Sequence, residues 1–232
     1  MMGQVRSGFR RIKVFHASFI LILVLLAAAP SPRAEKPQPS PEEKAAIEAP
    51  GLAGKILAGA RREAALKTRY VEEYHVLQYP GGDVPAGTGV CTDLIVRALR
   101  NAGVDLQQAL HEDRVAHPEA YPTQIWSDKK ADASIDHRRC QNLAVWFKRH
   151  ARSLPTALDE QTLQREWQAG DVVFFVRPGQ SHPWHVAIVS DRHCGDAMPL
   201  IIDGFPPATS ETHRLDEFQP IHSHFRLIRV SR

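Results

Sequence analysis

Cysteine is scarce in this 232-residue chain: there are three, Cys91, Cys140 and Cys194. Three is too few for a disulfide framework, and the odd count leaves at least one thiol over. One bridge is expected, Cys140–Cys194, with Cys91 free. No Cys-x-x-Cys occurs, which removes the motif of a thioltransferase. His-Glu-x-x-His is missing as well, and with it the helical histidine pair of many zinc hydrolases. Only one long apolar run exists, Phe19 to Ala29, shorter than the ~20 residues that span a bilayer. An excess of one charge is also lacking. The formal net charge is +3, but five of the 29 basic side chains precede residue 35 and none of the acidic ones does. Beyond that point 24 basic groups face 26 acidic ones, a net of −2, which gives no electrostatic case for nucleic acid binding. No internal repeat and no second domain is visible.

What the chain does contain is ordered along its length. Arg6, Arg10, Arg11 and Lys13 precede the apolar run, the layout of a secretory signal. Residues 1–34 are expected to be a signal peptide or an uncleaved inner-membrane anchor, and the protein to be exported to the periplasm. Membrane contact is expected only through that segment. Residues 35–50, rich in proline and charge, read as a linker. Residues 51–232 are expected to form a single domain. "LAGKILAGARREAALKT" has helical spacing, and short apolar runs follow later: "GDVVFFV", "WHVAIVS", "PLIID" and "HFRLIRV". Helices first and a meander of strands second define an α+β domain.

The stretch "GTGVCTDLIVRALRNAG" raises the question of chemistry. After Cys91, Leu94, Ile95, Ala98 and Leu99 form one stripe, and Asp93, Arg97 and Arg100 the other. Gly103 is a natural stop. Cys91 therefore opens an amphipathic helix on its buried face. A helix N-terminus favours a thiolate, and a neighbouring histidine can take the proton. His185 is the candidate base. On an extended strand it shares a face with Ala187, which is small enough to leave room for the helix end. Pairing "WHVAIVS" antiparallel with "PLIID" predicts His185 opposite Asp203, Ala187 opposite Ile201 and Val189 opposite Pro199. Asp203 would then hold the imidazole tautomer and stabilise its charged form.

"GTGVCTDLIVRAL", followed far downstream by "GDVVFFVRPGQSHPWHVAIVSD", resembles the NlpC-type branch of the papain-like cysteine amidases. Residues from about Tyr70 to Arg229 resemble more closely the exported domain-of-unknown-function family 1287. "YPGGDVPAGTGVCTD", "LHEDR", "SIDHRR" and "GDVVFF…HVAIV" carry that likeness. The resemblance implies a papain-like fold with N-terminal helices packed on an antiparallel meander. It implies a Cys91 nucleophile, a His185 base and a third polar residue near Asp203, with no metal or cofactor. It also places Tyr79 near the nucleophile and Asp83 in the substrate cleft. "LHEDR" and "SIDHRR" are either solvated charge, with Asp136 capping a helix, or a cleft wall in which Arg138 or Arg139 clamps a substrate carboxylate. The expected activity is hydrolysis of an amide, with peptidoglycan peptides as the substrate of that compartment.

Two rivals are set against it. One is a zinc-dependent hydrolase using His182, His185, Asp203, His222 and His224. The other is a cell-wall-binding module that keeps the fold without activity.

Overall fold

The computed structural model describes residues 51–126, 130–195 and 198–228. The expected leader (1–34) and linker (35–50) lie outside the described residues. Helix α1 (Leu52–Ala65) is alanine-rich and buries Ile56, Leu57 and Ala60. Its Gly59 permits a close crossing over the next long helix: a side chain there would meet Ala98 Cα at 2.8 Å. Two short strands, β1 (Arg69–Tyr70) and β2 (Thr88–Gly89), then pair in parallel, Tyr70 against Gly89.

Helix α2 (Cys91–Asn101) follows at once, with the expected face inward: Cys91, Leu94, Ile95, Ala98 and Leu99 are buried. Its first turn is fastened by Asp93, whose carboxylate accepts the Val90 N–H at 2.8 Å. It ends ahead of Gly103, as the spacing predicts. Helix α3 (Leu106–Ala116) is capped by the Asp105 carboxylate, which accepts the Gln107 N–H at 3.2 Å. A 3₁₀ turn (Asp136–Arg138) leads into α4 (Cys140–His150). Strand β3 (Arg152–Leu154) and helix α5 (Glu160–Glu166) precede the main strands. These are β4 (Val172–Val176), β5 (Pro183–Cys194), β6 (Met198–Asp203), β7 (Ser210–Thr212) and β8 (Ile221–Arg226).

The sheet is antiparallel throughout, in the order β3-β8-β4-β5-β6-β7. The α+β expectation thus holds. Both faces of the central strands are covered, which is why "VVFFV" and "VAIV" are unbroken apolar runs. On one face Phe174, Val186 and Ile188 pack under Leu94, Ile95 and Phe147. On the other, Val173, Phe175, Ala187, Val189 and Ile201 meet Leu163, Trp167 and Leu215. Ala187 therefore does not face the Cys91 helix; Val186 and Ile188 do.

The β5–β6 register also departs from expectation. Val189 pairs with Ile201 and Ile188 with Ile202, while nearer the turn His193 pairs with Pro199. β5 runs on to Cys194 and absorbs extra residues in an irregularity between Val189 and His193. The shift is by two residues, so parity survives, and His185 and Asp203 become diagonal neighbours on one face.

Among the described residues no helix is long and apolar enough to cross a membrane.

Candidate active site

Cys91 is the first residue of α2 and only 5% exposed. The chain leaving β6 presses directly on it: a side chain at Gly204 would sit 3.1 Å from both Cys91 N and Cα. This brings Asp203, the last residue of β6, to the helix end. His185 Nε2 lies 2.9 Å from Asp203 Oδ2, with both side chains buried. Arg214 Nη1 approaches the other carboxylate oxygen at 3.4 Å. Trp184, Phe205 and Phe218 wall in the imidazole. With Nε2 committed to Asp203, Nδ1 is the nitrogen left for the thiol.

The electrostatics follow from these neighbours. The Cys91 thiol is brought down to about 5. The Cys140 thiol contributes most, by hydrogen bonding; burial opposes; the His185 charge, its hydrogen bond and the Val186 N–H add to the fall. Burial alone would lower His185, but the Cys91 charge and the Asp203 hydrogen bond raise it to about 9. Cys140 is pushed well up by its bond to Cys91 and by burial, so it keeps its proton. The two sulfurs are 3.7 Å apart.

The expected Cys140–Cys194 bridge is therefore not present. Cys140 is buried against Cys91 at the start of α4, whereas Cys194 is an exposed free thiol at the end of β5.

A cleft of about 360 Å³ opens over Cys91 and Cys140. Its walls include Tyr70, Glu72, Tyr74, Trp126, Arg139 and Trp184. Tyr70, which sequence reasoning passed over, is set there by its pairing with Gly89, two residues before Cys91. Its hydroxyl donates to Glu72 Oε1 at 2.9 Å, and burial together with the Cys91 charge raises its pKa. Tyr79, expected in this place, is 41% exposed and stands edge-on to His111 instead.

Other expected substrate contacts prove structural. Asp83 pairs with Arg97 at 2.9 Å and Arg100 at 3.1 Å and is not part of the cleft wall. Arg138 lines the cleft, and three of its five N–H donors are used internally. Nε and Nη2 hold Asp93 at 2.8 and 3.1 Å, and Nη1 donates to Glu73 O at 2.8 Å. It locks the α2 start. Arg139 does stand in the wall, its guanidinium 4.1 Å from the Trp126 ring centre. Asp136 does not cap α4. It is buried in an ion pair with Arg114, which joins "SIDHRR" to "LHEDR".

The residues of the zinc alternative do not meet. His185 and Asp203 belong to the Cys91 cluster. His224 lies between Pro155 O and Asp171, both at 2.9 Å, and stacks on Trp167. His182 and His222, with His224, line a cavity of about 570 Å³ beside Lys148 that includes neither His185 nor Asp203. Among the described residues no group of three or more His, Cys, Asp or Glu is gathered as a metal site.

A buried thiol at a helix N-terminus, paired with an imidazole that a carboxylate orients, defines a class of folded domain with a Cys–His–Asp cluster in a cleft. The particular family is plain. Residues 57–227 match the domain-of-unknown-function family DUF1287, and the chain belongs to it. It is also similar to the uncharacterized protein YijF of Escherichia coli (strain K12), 38% identical over 172 residues. That similarity covers 74% of this chain and 80% of the relative.

Proposed function

We propose that this chain is a thiol hydrolase that cleaves amide bonds, built on an NlpC-type papain-like fold. The single observation that carries the reading is the Cys91–His185–Asp203 cluster, assembled from three elements, with Cys91 lining a cleft and His185 and Asp203 buried behind it. The Cys91 thiolate attacks the amide carbonyl. The backbone N–H of Cys91, at the N-terminus of α2, receives the developing oxyanion. His185, charged by the thiol proton, donates from Nδ1 to the leaving amine and leaves an acyl-enzyme. Water, deprotonated by the same nitrogen, then releases the acid. Asp203 holds Nε2 throughout and balances the imidazolium.

The leader supports export to the periplasm, and the amide polymer of that compartment, peptidoglycan, is the proposed substrate. Arg139, over Trp126 and 3.6 Å from Asp136 Oδ1, puts a guanidinium in the cleft wall, chemistry suited to a peptide carboxylate. The test is release of new amino termini from soluble muropeptides. Wild-type protein should produce them, and Cys91→Ala and His185→Ala should not. Binding of the same muropeptides by all three proteins without cleavage by any would point instead to a wall-binding module.

A further inference from the structure

The hydrolytic steps use Cys91, His185 and Asp203 and leave a second buried thiol, Cys140, with no part in bond making or breaking. Cys140 opens α4 as Cys91 opens α2, and both line the same cleft. Their sulfurs approach to 3.7 Å across 49 residues of sequence. A disulfide needs about 2.05 Å, so rotation of the two side chains toward each other must close the remainder. Cys194, the third thiol, is exposed and outside that cleft.

We propose that Cys140 is a resolving thiol, and that Cys91 and Cys140 close to a reversible disulfide that switches the cleft off. The oxidant is a low-molecular-mass disulfide, RSSR. The Cys91 thiolate attacks one sulfur, forming the mixed disulfide Cys91–S–S–R and releasing RS⁻. Cys140 gives up its proton and attacks Cys91 Sγ, which expels the second RS⁻. The net change is protein dithiol plus RSSR to protein disulfide plus two RSH, with two electrons passing to the oxidant. The division of labour follows from the surroundings: His185 faces Cys91 and makes it the attacking sulfur, while Cys140 stays protonated until the mixed disulfide has formed. The inference rests on the reactivity of Cys91 and not on which bond it hydrolyses.

The test uses the full chain, folded, in buffers of oxidised and reduced glutathione, with non-reducing peptide mapping and intact mass. Apart from glutathione carried by the exposed Cys194, wild-type protein should lose two hydrogens in mass, retain no glutathione on Cys91 and yield a Cys91–Cys140 linked peptide. Iodoacetamide labelling at Cys91 should vanish and return with dithiothreitol. Cys140→Ser should instead accumulate a stable glutathione adduct on Cys91, and Cys194→Ser should behave as wild type. If Cys140→Ser does not fold, the wild-type linked peptide still decides the matter. Wild-type protein that keeps the adduct on Cys91, or that reacts only at Cys194, would overturn the proposal. Both readouts are independent of hydrolysis, so a protein that forms the bridge yet cleaves no muropeptide when reduced would sink the proposed function alone.

Discussion

At the scale of single residues, the site depends on three side chains and one missing side chain. Asp203 orients His185 through a 2.9 Å contact and balances its charge. Asp203→Asn keeps the shape and removes the charge. It should move the low-pH limb of Cys91 alkylation upward and lower amide turnover by about 10²-fold or more, the order associated with acid–base groups. An unchanged alkylation profile would remove Asp203 from the cluster. Gly204 lies so close to the backbone of Cys91 that any Cβ must displace one or the other. Gly204→Ala should cost roughly 1–3 kcal/mol of stability as overpacking and depress turnover together with it. Urea denaturation with a parallel activity assay checks both, and full activity in the variant would contradict the contact.

At the scale of elements, what was legible in the sequence was whatever repeats with a regular period. The 3.6-residue stripe set Cys91 on the buried face of α2, and the two-residue period put His185 and Asp203 on one face despite a register displaced by two. What was hidden depends on contacts without a period. Tyr70 reaches the cleft through a two-residue parallel bridge, and Cys140 reaches Cys91 from a different helix. Arg114 finds Asp136 across 22 residues, so two charged motifs that suggest a surface are buried together. Arg138 was correctly placed beside the cleft but is consumed by Asp93, which in turn holds the Val90 N–H at the α2 start. Arg138→Met should therefore leave a buried carboxylate unpaired and cost about 3–5 kcal/mol. A urea midpoint within error of wild type would return Arg138 to the list of ligand contacts.

At the scale of the whole molecule, pH ties the site to the stability of the fold. Burial lowers His137 to about 4, so the folded chain holds it neutral. Its ordinary value is ~6.5, so between these values the unfolded chain binds more protons and stability falls as pH falls. The Cys91–His185 pair acts with the same sign from ~6.5 down to about 5, because the folded pair carries one proton where the unfolded thiol and imidazolium carry two. Near neutrality the pair carries one proton in both states and adds no slope. The expected outcome is a loss of stability below ~6.5, measured by denaturation at successive pH values. It should be reduced in His137→Gln and flatter again when His185 is also replaced. A flat wild-type curve from pH 7 to 4 would contradict both assignments.

The most direct test of Cys91 as a nucleophile is the pH dependence of its iodoacetamide alkylation in the folded, reduced protein, read by peptide mapping beside His185→Ala. The rate should persist down to about pH 5 in the wild type, and its low-pH limb should move upward in the variant, which keeps the Cys140 hydrogen bond but loses the imidazolium. A Cys91 that alkylates with an ordinary profile near ~8.5 in both proteins, or only after unfolding, would make it a packing residue and end the hydrolase reading.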